Sequence, residues 1–423
     1  MTEAEFGWMD YRRAMEALRN GVPNGAAVRV MGCGQQKVEQ RFNEQLTAVS
    51  ERLTEDKQAP GLLVCGGFGS GKSHLLEYLE HRALSENFVC SRVVISKETP
   101  LYDPAKVYRA AMESATVPDV TGQAIQEIAL RLREGSPEYA QFYQWAVREE
   151  SGLSAMFPAT LFLHERLRGD PELVEKITGF WAGDRLAVSR VRQGLKQVGA
   201  SSMFPLRTVK VGQLALERFV FAARLILGAG YRGWVLLIDE VELAGRYSLL
   251  QRGKSYAELA RWLGKIKNHQ VPGLTAVAAI TDDFAAHVLD EKGDRDAIGN
   301  RLRSKGSEEM AALAARAETG MRIIQREALT LDPPDADTLQ ATYDKLKEVH
   351  RVAYKWDPPD IAPAERSLRR AMRSHVRRWI NEWDLKRLYP GTDVVTEEQE
   401  MRPTYAEDAE IEKVSEPEEP LED

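Results

Sequence analysis

Apolar residues recur at three- and four-residue intervals over Tyr11–Leu18 and Gln36–Leu53, which predicts two helices separated by a turn segment, GVPNGAAVRVMGCG. The pattern then changes. Gly61–Cys65 and Phe88–Ile95 are short, mostly apolar runs that read as strands, joined by a helical pattern beginning HLLEYLEHRAL. From about Pro104 to Leu227 the periodicity is mainly helical, with breaks near Gly135–Pro137, Gly169–Pro171 and Gly199–Pro205. Three further strand candidates follow: Gly233–Glu240, Leu274–Asp282 and Ala328–Leu331. A helix near Ala257–Lys267 lies between the first two, and Pro333-Pro334 leads from the last into helices that run to about Leu388. Strands that are apolar on both faces and separated by helices imply an α/β fold whose parallel sheet is covered on both sides. No internal repeat is visible.

The first strand runs directly into Gly66, Gly67, Phe68, Gly69, Ser70, Gly71, Lys72 and Ser73, and His74 opens the helical pattern behind them. The spacing G-x-x-x-x-G-K-[ST], between a strand and a helix, is that of a phosphate cradle: glycines let consecutive backbone N–H groups turn toward an anion, and the helix dipole adds favourable partial charge. Lys72 is placed to reach the β- and γ-phosphates of ATP and Ser73 to ligate Mg²⁺. A buried strand, WVLLIDE, supplies the complement. Asp239 at its carboxyl end can hold the metal through water, and Glu240 can orient or deprotonate an attacking water.

The next strand ends at Thr281-Asp282, where a polar side chain either senses the γ-phosphate or caps the following helix. Phosphoryl transfer leaves negative charge on equatorial oxygens, so an arginine from a lid or a neighbouring subunit accelerates it. Arg295, Arg301 and Arg303 in DRDAIGNRLRSKG offer one source. A helix opening at Arg366 offers another, with Leu368, Met372, Val376, Trp379 and Trp383 on its apolar side and Arg366, Arg369, Arg370, Arg373 and Arg377 largely elsewhere. A solvated helix face is the alternative reading of each of these arginines.

Composition narrows the class. Hydrophobic residues at 43% and charged residues at 29% describe an ordinary globular protein, and 423 residues suffice for two or three domains. No apolar run approaches the roughly 18–20 residues of a membrane crossing, and the N-terminus lacks the basic-then-apolar order of a signal peptide, so a cytoplasmic protein is expected. Cys33, Cys65 and Cys90 show no C-x-x-C pairing, which argues against a disulfide framework and a structural zinc site. The formal net charge of −7 is unevenly spread: Asp393–Asp423 holds thirteen acidic residues against Arg402 and Lys413, a net of −11 that leaves residues 1–392 at +4. That tail is expected to be disordered, serving either solvation or the masking of a basic surface.

The glycine loop, the WVLLIDE strand, the strand ending in Thr281-Asp282 and the C-terminal arginine helix together resemble an AAA+ ATPase related to the origin-recognition and clamp-loader types. The phrases RNGVPN at 19–24, GGFGSGKSHLLEYLEH at 66–81, FVCSRVVISKETPLYDPAKVYRAA at 88–111, LLIDEVE at 236–242 and HVRRWINEWDL at 375–385 are similar to the BrxD-like ATP-binding proteins of BREX bacteriophage-exclusion systems. The resemblance covers nearly the whole chain apart from the acidic tail. It implies a P-loop NTPase of AAA+ type: a three-layer sandwich with a parallel sheet, a large helical insertion and a C-terminal helical lid. The expected division is an N-terminal helical segment at 1–60, an ATPase core at 61–331 with the insertion at about 104–227, a lid at 332–392 and the tail at 393–423. The 167-residue separation of Lys72 and Asp239 accommodates that insertion.

Carried over, the pattern makes Lys72 and Ser73 the phosphate and Mg²⁺ contacts, Asp239 the metal carboxylate, Glu240 the catalytic base and Arg369 the lid arginine that senses nucleotide. Thr281-Asp282 stands where the first sensor is often Asn. Residues from about Gly21 to Gly34 occupy the place where such ATPases wrap the adenine. The implied role is an ATP-hydrolysing component of antiphage defence, a homo-oligomer working beside other defence proteins such as a helicase-like partner, with nucleotide state driving assembly or remodelling. A slow-turnover nucleotide-dependent switch or scaffold is the alternative. So is a DNA-binding protein with ATP secondary, because residues 366–387 carry eight Lys/Arg against Glu382 and Asp384, enough for non-specific contact with phosphates. No base-reading motif accompanies them.

Overall fold

A computed structural model of the chain describes residues 7–53, 55–118, 120, 123–207, 211–267, 269–361, 371–391 and 405–408. Arg366, Arg369 and Arg370, and all of the acidic tail except Tyr405–Asp408, lie outside the described residues. Five parallel strands form one sheet in the order β2-β3-β4-β1-β5: β1 (Leu62–Cys65), β2 (Val89–Val94), β3 (Trp234–Asp239), β4 (Leu274–Ile280) and β5 (Leu329–Thr330). Alternation within each strand sends side chains to opposite faces. Val64, Cys90, Leu237, Val277 and Ala279 meet α3 (Gln36–Leu53) and α4 (Lys72–Ser85) on one face, after α1 (Trp8–Asn20) and α2 (Gly25–Met31). Leu63, Val93, Leu236, Ile238 and Ala278 join the larger core on the other.

That second core is built largely by the helices between β2 and β3: α5 (Pro104–Glu113), α6 (Ala124–Arg131), α7 (Pro137–Ala146), α8 (Met156–Arg166), α9 (Pro171–Ala182), α10 (Val188–Gln197) and α11 (Val211–Gly228). Three of them start alike. Asp103, Ser136 and Asp170 each precede a proline and accept hydrogen bonds from first-turn amides of α5, α7 and α9, which offsets donors that would otherwise be orphaned. Trp234 on β3 is wholly buried, and its indole donates to Ser91 Oγ at 2.9 Å. After β3 come α12 (Leu249–Trp262), α13 (Asp294–Arg303) and α14 (Glu308–Arg326), with α12 packed along α14.

Past β5, α15 (Ala336–Tyr354) and α16 (Met372–Leu388) pack with α1, so the two ends of the chain share one core around Met15, Leu346, Trp379, Ile380 and Trp383. Asp384 ties them: it accepts from Arg19 of α1, from His350 Nε2 of α15 at 3.2 Å and from Arg387 at 3.3 Å. Two expectations are corrected. The segment read as a turn contains α2, capped by Asn24, whose side chain accepts from Ala27 N at 2.9 Å; seven residues between glycines are too few to display a helical period. The helix placed near Ala257–Lys267 instead occupies Leu249–Trp262.

Candidate active site

The carboxyl ends of β1, β4 and β3 open onto one crevice, the place where parallel α/β sheets hold ligands. The loop after β1 folds over itself there, with Ser70 N donating to Gly67 O at 3.1 Å. Gly71 has φ +103°, a conformation glycine adopts without strain, and a Cβ at Gly66 would come within 2.6 Å of Ser70 Oγ. Lys72 begins α4 and points back into the loop, donating through Nζ to Gly66 O at 2.8 Å and Gly67 O at 3.2 Å. Ser70 Oγ is buried without a partner among the described residues. A cradle lined by backbone, an orphaned hydroxyl and a buried ammonium at a helix N-terminus fit polyphosphate.

Asp239 ends β3, and its Oδ1 accepts from Glu240 N at 3.0 Å. Glu240 sits at φ 61°, ψ 33°, a left-handed conformation that strains a non-glycine residue and turns the chain abruptly out of the strand. Burial raises its carboxyl, and neighbouring Asp239 raises it further, while Lys72 and Arg373 draw it down. Ser73 and Asp239 offer the hard oxygen donors that suit Mg²⁺. Both also touch Arg92 of β2: its Nη2 donates to Asp239 Oδ2 at 3.1 Å and to Ser73 O at 3.3 Å, while Nη1 donates to Glu77 at 2.8 Å. Replacing Arg92 with Ala strands a buried carboxylate, and is expected to destabilise the fold by about 3 kcal/mol in a denaturant titration, with Arg92→Lys recovering part of the loss.

Glu242 is a third carboxylate in the same crevice, with Oε1 4.0 Å from Lys72 Nζ and Oε2 buried without a partner among the described residues. Burial pushes its pKa up to about 7 against the pull of Lys72. A carboxyl whose folded pKa exceeds its unfolded one binds the proton more tightly when folded, so stability falls as pH rises between about 4.5 and 7 and the whole deficit stands above 7. Glu242→Gln is therefore expected to raise the melting temperature more at pH 8 than at pH 5, with a difference of up to about 3 kcal/mol between the two conditions.

The crevice continues into a cavity of about 300 Å³, whose walls include Pro23, Met31, Cys33, Gly34, Pro334 and Thr338. His74 braces this end, donating from Nε2 to Gly32 O at 2.7 Å. Helix α16 reaches the loop directly. Arg373 N donates to Gly69 O at 3.3 Å, Arg373 Nη2 donates to Gly21 O at 3.0 Å, and its guanidinium lies over the Phe68 ring at 5.7 Å.

The expected site residues therefore divide. Gly66–His74, Asp239 and Glu240 converge, and the Asp282 carboxylate lies beside Gly67, 3.7 Å from where its Cβ would stand. Thr281 is buried, and its hydroxyl is hydrogen-bonded to Tyr405 at 2.6 Å. Arg301 and Arg303 are exposed on α13 and are not brought into this crevice within one chain; Arg303 is paired with Glu318 at 2.6 Å. Arg369 lies outside the described residues, and Arg373 is the α16 arginine seen at the loop. On α16, Lys386 pairs with Glu382 and Arg387 with Asp384, which reduces the cationic surface the sequence led one to expect.

Sequence reasoning missed Arg92 and Glu242 as site residues, and among the helix arginines it offered, Arg373 included, it singled out Arg369. An arginine inside a strand run and a glutamate two places beyond Glu240 were the available signals.

No curated protein matches the chain. The family described as BREX system ATP-binding protein BrxC/D matches residues 9–131 and 213–382. The first stretch holds the glycine loop, Arg92 and the helices through α6; the second holds β3, β4, the three carboxylates and most of α16. Helices α7–α10 fall between them. Because the matched stretches cover most of the chain and contain both walls of the crevice, the protein belongs to the BrxC/D family of BREX system ATP-binding proteins.

Proposed function

We propose that the chain binds Mg-ATP in this crevice and hydrolyses it, acting in the cytoplasm as an AAA+ component of its BREX system. The observation that carries the reading is the convergence of Lys72, Asp239 and Glu240 on a single loop-and-strand-end crevice, with β4 inserted between β1 and β3, the strands that lead into them. In this reading the backbone of Gly67–Lys72 and the Lys72 ammonium bind the β- and γ-phosphates. Ser73 and Asp239 hold Mg²⁺, which when bound neutralises charge on the phosphates. Glu240 orients the attacking water and accepts its proton at a carboxylate oxygen. Asp282, beside Gly67, is the residue on β4's end best placed to respond to the γ-phosphate.

The lid supports a link from nucleotide to assembly. Arg373 joins the loop through its backbone N–H to Gly69 O and the end of α1 through its guanidinium to Gly21 O, and its helix shares a core with α1 and α15, so a shift at Gly69 moves the bundle made by both chain ends. Exposed Arg301 remains available to a second copy as an arginine finger. The test is phosphate release and sedimentation measured together on the full-length protein with Mg-ATP. Turnover accompanied by nucleotide-dependent self-association supports the proposal. Tight ATP binding with no phosphate released defeats the hydrolytic part.

A further inference from the structure

Behind the crevice lies a notch that the chemistry above does not use. Its walls are the short helical turn Val241–Arg246, which leaves directly from Glu240, the residues Thr281–Phe284 after β4, and the π-helix Ala285–Glu291. Tyr405–Asp408 lies in it. The Tyr405 ring meets Phe284 edge-on, 5.9 Å between centroids at 88°, and a Cβ at Gly245 would come within 3.1 Å of the ring. Tyr405 Oη donates to Asp283 Oδ1 at 2.7 Å and therefore accepts from the buried Thr281 hydroxyl at 2.6 Å.

Charge then fixes the register. Arg252 Nη1 donates to Glu407 Oε1 at 2.7 Å, Arg246 Nη2 donates to Asp408 Oδ2 at 2.5 Å, and Asp408 N donates to Arg246 O at 3.2 Å. Arg252 is almost wholly buried, held by Asp294 at 2.7 Å and by Tyr247 O, to which Nη1 donates at 2.6 Å, so Nη1 is aimed by the fold rather than by the tail.

We propose that this notch is a recognition site for a short aromatic-acidic peptide, that the chain's own Tyr405–Asp408 is its occupant, and that docking holds the Thr281 hydroxyl and so restrains the crevice. An aromatic anchor in a pocket shaped by Gly245 supplies burial, while two arginines select the acidic residues that follow. The same contacts join the segment to both of the catalytic walls, through the turn after Glu240 and through the strand end beside Asp282. The restraint on turnover rests on the hydrolytic reading above; the docking itself does not.

The experiment uses the full-length chain, wild type and the tail variant Glu407→Arg/Asp408→Arg, with a labelled synthetic peptide of residues 402–411 as probe. Neither substitution touches the core, and near-ultraviolet circular dichroism checks the fold. The peptide is expected to bind the variant saturably and the wild type about tenfold more weakly, as for a notch filled by its own tail nine-tenths of the time. A Tyr405→Phe peptide, lacking the hydroxyl that joins Thr281 to Asp283, is expected to bind the variant more weakly than the native peptide. Hydrogen exchange at Asp408 should be slow in the wild type at every protein concentration. No peptide binding to the variant overturns the recognition site, and equal binding to both proteins, or protection that grows with concentration, overturns the intramolecular occupant. Phosphate release should be several-fold faster in the variant; an unchanged rate overturns the restraint, whereas no release from either protein defeats hydrolysis while the binding result still decides the docking.

Discussion

Glu240→Gln is expected to leave ATP affinity near that of the wild type and to lower turnover by two to three orders of magnitude, in the range that loss of a general base produces, about 10²–10⁴-fold. Glu240 stands at the end of a fully buried strand, in a left-handed conformation that aims it out of the sheet beside Asp239. Glutamine has the same shape and the same backbone requirement, so the substitution removes basicity and little else. Asp239, Lys72 and the glycine loop keep their contacts, and binding should persist. The measurement is phosphate release at saturating ATP together with a binding titration. An affinity loss comparable to the rate loss would assign Glu240 to binding.

Lys72→Ala is expected to do the opposite and remove binding itself. The Nζ group is held between Gly66 O and Gly67 O, at 2.8 and 3.2 Å, in a loop whose other polar groups are backbone and the Ser70 and Ser73 hydroxyls. Each charge-assisted contact with phosphate contributes about 1.5–3 kcal/mol, so the loss of two weakens ATP binding by about 10²–10⁴-fold. The fold should survive, because the lysine lies at the first residue of α4 and its carbonyl partners can turn to water in the open crevice. Glu242 reports on the change independently. Without Lys72 its carboxyl loses a nearby cation that pulls its pKa down, and its titration moves upward from about 7.

Much of this site was legible because it is local. The loop Gly66–Ser73 and the pair Asp239-Glu240 are contiguous in sequence, and their chemistry follows from spacing and from the strands that precede them. The buried strands were legible for a related reason, since β3 and β4 are apolar on both faces and carry the period of neither a surface strand nor a helix. What escaped is set by contacts between distant segments. Arg92 reads as a lone polar residue in a strand, yet the pairing of Arg92 with Leu237 in the β2–β3 register brings it to Asp239, 147 residues away. Arg373 belongs to a helix whose other arginines are equivalent by periodicity, and only the packing of α16 on α1 selects it for the loop. The four residues of the tail that dock do so through Tyr405, the single aromatic in an acidic stretch that composition reads as disordered.

In the proposed reading this crevice binds ATP and cleaves it with Glu240 as base. A single-turnover measurement tests it most directly: ATP labelled in the γ-phosphate is mixed with excess full-length protein and Mg²⁺, and the bound nucleotide is followed in the wild type and in Glu240→Gln. Both proteins are expected to take up ATP, and only the wild type to convert it to ADP and phosphate over the course of the experiment. Bound ATP that stays intact in the wild type, or that disappears equally fast in both, would contradict that reading.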